Sequence, residues 1–181
     1  MAARGVHIAI TAELRAGLES QPHDEARIDF ILNELEEAWD DDYVQGTDKA
    51  WDAIHRSLSE WPADTPYFYP VPPEHGTFAL PEDHGAYPLK VTVLGGKRMQ
   101  KSEYDYFIRL IEPHEVTDLV PALQAISRDD LRTRYFEHCK GAWPEYGEED
   151  FEYTWEYFEM LRDFFERMAG NGHAVIFTAD Q

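Results

Sequence analysis

Alternation of apolar and polar residues at the start of the chain predicts a strand followed by a helix. Residues 5–10 place a valine and two isoleucines on one face, as a half-buried strand does. Thr11 comes next and has a side chain suited to a helix N-cap, so a helix is expected from there to the region of Pro22.

A second helix is expected after Asp24, which we interpret as its N-cap. Apolar residues then recur at helical spacing as far as Trp39. Residues 40–42 are aspartates, and the helix macrodipole disfavours negative charge at a C-terminal end. The helix is therefore expected to stop there, and the chain to turn at Gly46.

A third helix is expected to begin at Thr47 or Asp48. Four of its residues fall on one stripe: Trp51, Ile54, His55 and Leu58. Beyond it the composition changes, because seven of the 11 prolines lie within 61–88 among several aromatic residues. Proline removes a backbone donor and disfavours helix, so this excursion is expected to be irregular and packed, with one short edge strand near 77–80.

Two strands are expected in the middle of the chain. One covers 89–94 and ends at a glycine pair, and the other covers 104–111, where apolar and polar residues alternate. Pro113 suits the first turn of the helix that follows. Pro121 lies inside the same pattern and is expected to kink or break that helix.

Two more helices and a strand complete the pattern. Residues 127–130 have the sequence of a capping box for a short helix. The C-terminal helix has the clearest apolar stripe, formed by Phe151, Trp155, Phe158, Leu161, Phe165 and Met168. Gly170 or Gly172 is expected to end it, before a final strand over 174–178. This order predicts a single α+β domain over 1–181, with helices packed on a small mixed or antiparallel sheet.

Composition narrows the class of partner. The chain has 36 acidic and 16 basic residues, a net charge of −20, with 43% hydrophobic and 14% aromatic residues. A disordered acidic tail would be poor in apolar residues, so the charge belongs to the surface of a folded protein. Such a field repels phosphate backbones and anionic lipids, which disfavours nucleic acid and membrane as partners. A basic protein partner is compatible with it.

Cysteine usage and hydropathy favour a cytoplasmic protein. Cys139 is the only cysteine, so no internal disulfide can form. No apolar run approaches the ~20 residues that a membrane-spanning helix needs. No segment has a cofactor motif, so no cofactor is expected.

Four stretches, taken in order, resemble the YfbM-like family of bacterial domains of unknown function. They are residues 48–55, the strand end and glycine pair at 93–96, the strand and two helices over 106–135, and 157–162 followed by 171–176. Together they extend over most of the chain from about Thr47 onward. The resemblance implies a compact α+β fold in a small cytoplasmic protein. It implies no activity, substrate or catalytic residue.

Asp48, Trp51 and His55 form the best candidate cluster. Their spacing puts a carboxylate, an indole and an imidazole on one helical face, where the carboxylate could orient the imidazole. The alternative, which we favour, is structural. In that interpretation Asp48 caps the helix, Trp51 lies in the core and His55 lies at its edge.

A second candidate is an anion-binding spot around Lys97 and Arg98. The sequence Gly-Gly-Lys-Arg lacks the first glycine and the hydroxyl residue of a P-loop, so the glycines are expected to make a turn or a bulge as the chain leaves the strand. Basic residues nevertheless gather here in an acidic chain: Lys90, Lys97, Arg98, Lys101 and Arg109. Salt bridges to acidic helices are the favoured interpretation.

Three other sequence patterns do not match a calcium site, a zinc site or a reactive cysteine. Residues 40–46 lack two of the ligands of a calcium loop. His75 and His84 lie near three carboxylates in the excursion, but without the spacing of a helical zinc pair, and no metal site is expected. Cys139 has no activating base visible in the sequence.

Two functions from different classes follow. The first, which we favour, is a non-enzymatic interaction protein that binds a basic partner, with a toxin-neutralising or regulatory role as one form. The second is a small-ligand or hydrolytic pocket between the excursion and the third helix, with Asp48 and His55 in it.

Overall fold

An antiparallel sheet forms the centre of the protein in the computed structural model. The structure describes residues 4–37, 40–62, 84–100, 106–141 and 146–180. Within these ranges the strands are β1 (Gly5–Ile10), β2 (Val44–Asp48), β3 (Lys97–Arg98), β4 (Tyr106–Ile111) and β5 (Ala174–Asp180), in the spatial order β2-β1-β5-β4-β3. The α-helices are α1 (Ala12–Glu19), α2 (Asp24–Phe30), α3 (Ala50–Ser59), α4 (Pro113–Gln124), α5 (Arg128–His138) and α6 (Glu148–Asn171). A π-helix (Ile31–Glu36) continues α2, and a 3-10 helix spans Leu89–Thr92.

Helices cover both faces of the sheet, which we call the wide face and the narrow face. On the wide face, α3 to α6 bury a core rich in aromatic residues, including Trp51 and Phe177. On the narrow face, α1, α2 and the π-helix bury an aliphatic core around Leu18 and Ile31. Successive residues of a strand point to opposite faces, so Ile176 belongs to the narrow core and Phe177 to the wide one. The predicted α+β class is confirmed.

Local signals place most of the helix ends. The Thr11 hydroxyl accepts a hydrogen bond from the Leu14 amide (3.3 Å), as expected of the α1 N-cap. Ser127 and Asp130 form the predicted capping box of α5. Gly172 ends α6 at φ 68°, the left-handed conformation that glycine adopts without strain, so it is the stop and Gly170 is not.

Three expectations about helices were wrong. His23, and not Asp24, caps α2, because its Nδ1 accepts from the Ala26 amide (3.1 Å). The expected third helix does not start at Thr47 or Asp48, and Gly46 makes no turn. Residues Val44–Asp48 form edge strand β2, paired with β1, and α3 begins only at Ala50.

Pro121 does not break α4, which continues to Gln124. Proline removes one hydrogen bond, and here only the last turn is affected. Leu119 and Leu123, on either side of it, are both fully buried, so packing holds the helix together.

The expected strand over 89–94 was also wrong, because this segment is a 3-10 helix followed by a turn. Val91, Val93 and Leu94 are buried. Side chains of other elements, and not the backbone of a neighbouring strand, bind the backbone groups of Thr92 and Leu94. The predicted edge strand near 77–80 lies outside the described residues. None of the helices in the described ranges combines the length and the apolar composition that a membrane crossing needs.

Candidate functional site

Asp48 lies at the end of β2, ahead of α3, and adopts a φ of +40°. The Tyr153 hydroxyl of α6 donates a hydrogen bond to its Oδ2 (2.8 Å), and the Arg4 Nε lies 3.5 Å from its Oδ1. Burial, and then the hydrogen bond to Asp48, raise the pKa of Tyr153. Asp48 therefore links the edge of the sheet to α6 rather than capping α3.

Trp51 and His55 lie inside the wide core. Trp51 is 4% exposed and packs against the rings of Phe107 and Phe177, with centroids 5.9 and 5.8 Å away. His55 is 1% exposed and contacts a different set of residues, among them Leu94 and Ser59. The three residues of the predicted cluster thus bind three sets of neighbours, and the structural interpretation of Trp51 is correct.

Hydrogen bonds fix the tautomer of His55. Its Nδ1 accepts from the Leu94 amide (3.5 Å), so the ring proton of the neutral imidazole is on Nε2, 3.4 Å from the Ser59 Oγ. The Ser59 hydroxyl itself donates to the His55 carbonyl (2.7 Å). Burial, followed by the nearby Arg56, Arg109 and His84, lowers the pKa of His55 to about 3. His55 is therefore not a general base for Ser59.

The two ends of the Pro-rich excursion meet at the C-terminus of α3. Trp61 is fully buried, and its ring centroid lies 6.3 Å from that of His55 and 4.6 Å from that of His84. Arg56 donates to the Pro62 carbonyl (2.9 Å) while forming a buried ion pair with Asp52 (3.0 Å). His75 and its neighbouring carboxylates Glu74, Glu82 and Asp83 lie outside the described residues.

Arg109, expected near the anion-binding spot, points into the wide core instead. Its guanidinium donates to the Leu94 carbonyl (3.0 Å), the Gln100 side-chain oxygen (3.1 Å) and the Ile108 carbonyl (3.2 Å). The bond to Leu94 joins β4 to the segment before β3, and the bond to Gln100 joins β4 to the residues after β3. Lys101 lies outside the described residues, and Lys90 is half-buried in the 3-10 helix.

Lys97 takes part in a chain of ion pairs on the surface. Its Nζ lies 3.1 Å from Glu19, which also lies 3.5 Å from Arg15. Arg15 in turn binds Glu112 through both terminal guanidinium nitrogens, one of them at 2.9 Å. Arg98 is half-buried on β3, opposite Arg109 in the strand register. The expected salt bridge between this hairpin and an acidic helix is present at Lys97.

His7 is a buried titratable residue that the sequence reasoning missed. Its Nε2 donates to the Thr92 carbonyl (2.8 Å), and the rings of Phe164, Phe165 and Phe177 surround it. Burial lowers its pKa to about 4, although the bond to Thr92 acts in the opposite direction. A polar residue at the buried position of a strand was the one signal available.

Cys139 is a thiol and not a thiolate. It is buried, with its Sγ 3.7 Å from the Ala53 carbonyl and 3.8 Å from the Ser57 hydroxyl. Burial raises the pKa of this thiol to about 12. It therefore has the character of a small core residue and lacks that of a nucleophile.

Two acidic regions differ in how their charge is balanced. Residues 24–42, which we call the acidic segment, hold nine acidic residues and one basic residue, Arg27, which pairs with Asp24 (3.1 Å). Residues 145–166 also hold nine acidic residues and one basic residue. There, however, Arg128 and Arg132 of α5 pair with Glu152 and Glu148 of α6.

Exposed apolar side chains lie within and beside the acidic segment. Leu32 of the π-helix is 43% exposed, and Tyr43, directly after the three aspartates, is 41% exposed. The ring of Tyr43 lies against that of His173, with centroids 5.5 Å apart. One apolar side chain within the acidic segment and one directly after it are therefore open to solvent.

Comparison with known proteins identifies a family and a fold. A family model described as "Domain of unknown function (DUF1877)" matches residues 1–178. The crystal structure of YfbM from Escherichia coli, a protein of unknown function, is similar with a TM-score of 0.62 and 20% sequence identity, over 97% of this chain and 99% of that chain. The resemblance found in the sequence is thereby confirmed. A search of the curated proteins gives no match.

Proposed function

The chain belongs to the DUF1877 family, described as a domain of unknown function, and from that premise we propose that it is a non-enzymatic interaction protein. Its partner is a basic protein, and the binding surface is the acidic segment 24–42 together with Tyr43. The observation that carries the proposal is the difference between the two acidic regions in their ion pairs with arginine. Arginines of α5 neutralise part of α6, whereas the acidic segment contains one basic residue among nine acidic ones.

Charge of this kind acts mainly on the rate and selectivity of association. A surface of one sign steers a partner of the opposite sign and raises the association rate, an effect that salt weakens. Glu34, Glu37 and Asp42 are exposed and lie around Leu32 and Tyr43 in the chain. Exposed leucine and tyrosine side chains add apolar contact area, which charge alone does not provide.

The alternative of a hydrolytic or small-ligand pocket beside α3 has less support. Such a pocket needs His55 as a base or ligand, but its Nδ1 accepts from a backbone amide and its Nε2 carries the proton. Cys139 is buried as a thiol. The interaction proposal requires neither residue to react.

A capture experiment with two matched variants tests the proposal. The first variant, Glu34→Gln, Glu37→Gln, Asp42→Asn, neutralises three exposed carboxylates of the acidic segment. The control, Glu149→Gln, Glu156→Gln, Glu166→Gln, neutralises three exposed carboxylates of α6. Each variant and the original protein are immobilised, and proteins of the source organism that bind are quantified at about 50 mM and about 300 mM salt.

We expect a basic protein to be retained by the original chain and by the α6 variant, and to be lost from the acidic-segment variant and at the higher salt. Equal loss from both variants would mean that net charge alone attracts the protein. Retention by the acidic-segment variant, or capture of no basic protein at either salt concentration, would overturn the proposal.

A further inference from the structure

The segment 89–94 is largely buried, yet among the described residues it forms no backbone ladder with a neighbouring strand. Val91, Val93 and Leu94 are between 0 and 2% exposed. Three side chains from other elements bind its polar groups. His7 Nε2 donates to the Thr92 carbonyl (2.8 Å), His55 Nδ1 accepts from the Leu94 amide (3.5 Å), and Arg109 Nε donates to the Leu94 carbonyl (3.0 Å).

We propose that His7 and His55 form an acid-sensitive latch, in which the neutral imidazoles hold segment 89–94 against the wide face and their protonation releases it. Both residues are fully buried, and both bonds require a particular nitrogen to carry the proton. In this proposal the segment moves as a unit between the turn at Tyr87–Pro88 and the bend at Gly95–Gly96. Its release exposes the apolar side chains of Val91, Val93 and Leu94.

The surroundings of His55 oppose a positive charge. From its own helix it faces Arg56 and Ser59; from β4 it faces Arg109; and from the ends of the excursion it faces His84 and Trp61. Asp52 lies one turn earlier in α3, and Arg56 binds its carboxylate. A proton on Nδ1 would also set an N–H group against the N–H of Leu94, so that bond is lost outright.

The surroundings of His7 are apolar. Phe164 and Phe165 face it from α6, Phe177 faces it from β5, and the Thr92 carbonyl faces it from the segment itself. Its Nδ1 is buried without a hydrogen-bond partner among the described residues. A second proton would keep the bond to Thr92 but would place a charge and an unbonded N–H among phenyl rings, which is strongly unfavourable.

The direction of the pH dependence follows from linkage. Burial lowers the pKa of His7 to about 4 and of His55 to about 3 in the closed state, whereas an exposed histidine titrates near 6.5. The open state therefore binds more protons below pH 6.5, and the opening equilibrium rises as the pH falls. Between pH 7 and pH 5 this amounts to about 25-fold for each histidine, and roughly 500-fold for both together.

Amide hydrogen exchange on the intact protein tests the latch. Opening equilibria for amides of segment 89–94 are obtained at pH 7 and pH 5 after correction for intrinsic exchange rates, with buried α6 amides such as those of Leu161 and Phe165 as the reference for global unfolding. The matched variants are His55→Asn, whose side-chain oxygen can take the place of Nδ1, and His7→Gln, whose amide nitrogen can take the place of Nε2. Neither replacement titrates.

We expect the Leu94 amide to open roughly 500-fold more often at pH 5 than at pH 7, and more often than the α6 amides at pH 5. Each single variant should reduce the change to about 25-fold, and the double variant should abolish it. An unchanged opening equilibrium in the original protein, or a full response in the double variant, would overturn the proposal.

Nitrogen chemical shifts of the two imidazoles in the original protein provide a second measurement that needs no variant. The latch requires both rings to be neutral Nε2–H tautomers at pH 7 and to remain so in the closed state at pH 5. A protonated His55 in a protein whose 89–94 amides are still protected would contradict it.

Discussion

The wide and narrow faces of the sheet are built differently, although the same strands form both. The wide face buries aromatic side chains under four helices, and its acidic helix α6 is partly neutralised by arginines of α5. The narrow face buries an aliphatic core under shorter helices and carries the acidic segment. The two faces thus differ in the kind of apolar side chain that they bury, and in whether arginines of a neighbouring helix pair with their acidic residues.

Polar residues sharpen this contrast. In the wide core, His7, His55 and Arg109 form hydrogen bonds with backbone groups of segment 89–94. Part of this core therefore depends on hydrogen bonds in which donor and acceptor cannot be exchanged. In the narrow core, Glu36 of the π-helix accepts hydrogen bonds from Tyr106 (3.1 Å) and Thr178 (3.3 Å) at the margin of the apolar cluster. A change in protonation on the wide face therefore affects hydrogen bonds to the backbone of segment 89–94. On the narrow face it affects the hydrogen bonds of Glu36 to two side chains.

Two neighbouring residues of β5 provide the strongest test of the comparison. Phe177 faces the wide core against His7 and Trp51, while Ile176 faces the narrow core. We expect Phe177→Ala to lower the free energy of unfolding by about 4 kcal/mol, through lost burial and the cavity left behind. Ile176→Ala should lower it by about 3 kcal/mol. Urea denaturation followed by tryptophan fluorescence measures both. A greater loss for Ile176→Ala would mean that the aliphatic core contributes more to stability than the aromatic core.

Two glycines near the end of α6 test the wide face without touching its core. An added Cβ meets nothing within 4 Å at either Gly170 or Gly172, so only backbone conformation differs. Gly172→Ala, at φ 68°, should destabilise the protein by about 1 kcal/mol. Gly170→Ala, inside the helix, should stabilise it by a similar amount. Thermal unfolding curves of the two variants should move in opposite directions, and a shift of both in the same direction would refute the assigned helix end.

The smallest expected effects concern single charges. Glu148 lies in the first turn of α6 and pairs with Arg132, so Glu148→Gln should lower the free energy of unfolding by about 0.5 kcal/mol. Glu37 lies in the acidic segment. Glu37→Gln should raise the free energy of unfolding by about 0.3 kcal/mol, because repulsion between neighbouring carboxylates decreases. Chemical denaturation at low salt measures the difference. If neutralising Glu37 destabilised the protein as much as neutralising Glu148, the charge contrast between the regions would be wrong.

Sequence periodicity predicted the elements that bury one continuous stripe. The apolar stripe of α6 and the alternation in β1 and β4 were sufficient, because each element shows its buried face within its own residues. The strand β2 was missed because Gly46 suggested a turn, whereas its pairing with β1 depends on residues far away in the chain. The π-helix after α2 has no sequence signature of its own.

The candidate site was less predictable for a related reason. Segment 89–94 has the valines of a strand, but His7, His55 and Arg109 satisfy its backbone from three other elements. No local pattern shows that arrangement. The core position of Trp51 was predicted from its stripe, while Asp48 was placed on a helix that begins two residues later.

The contact between Trp61 and His84, with ring centroids 4.6 Å apart, has a consequence for the stretch of chain between them. The core holds these two residues side by side although they lie 23 positions apart in the chain. The entropy of closing a chain between two fixed points grows only slowly with its length. We therefore expect a change in the number of residues between Trp61 and His84 to alter the free energy of unfolding only slightly.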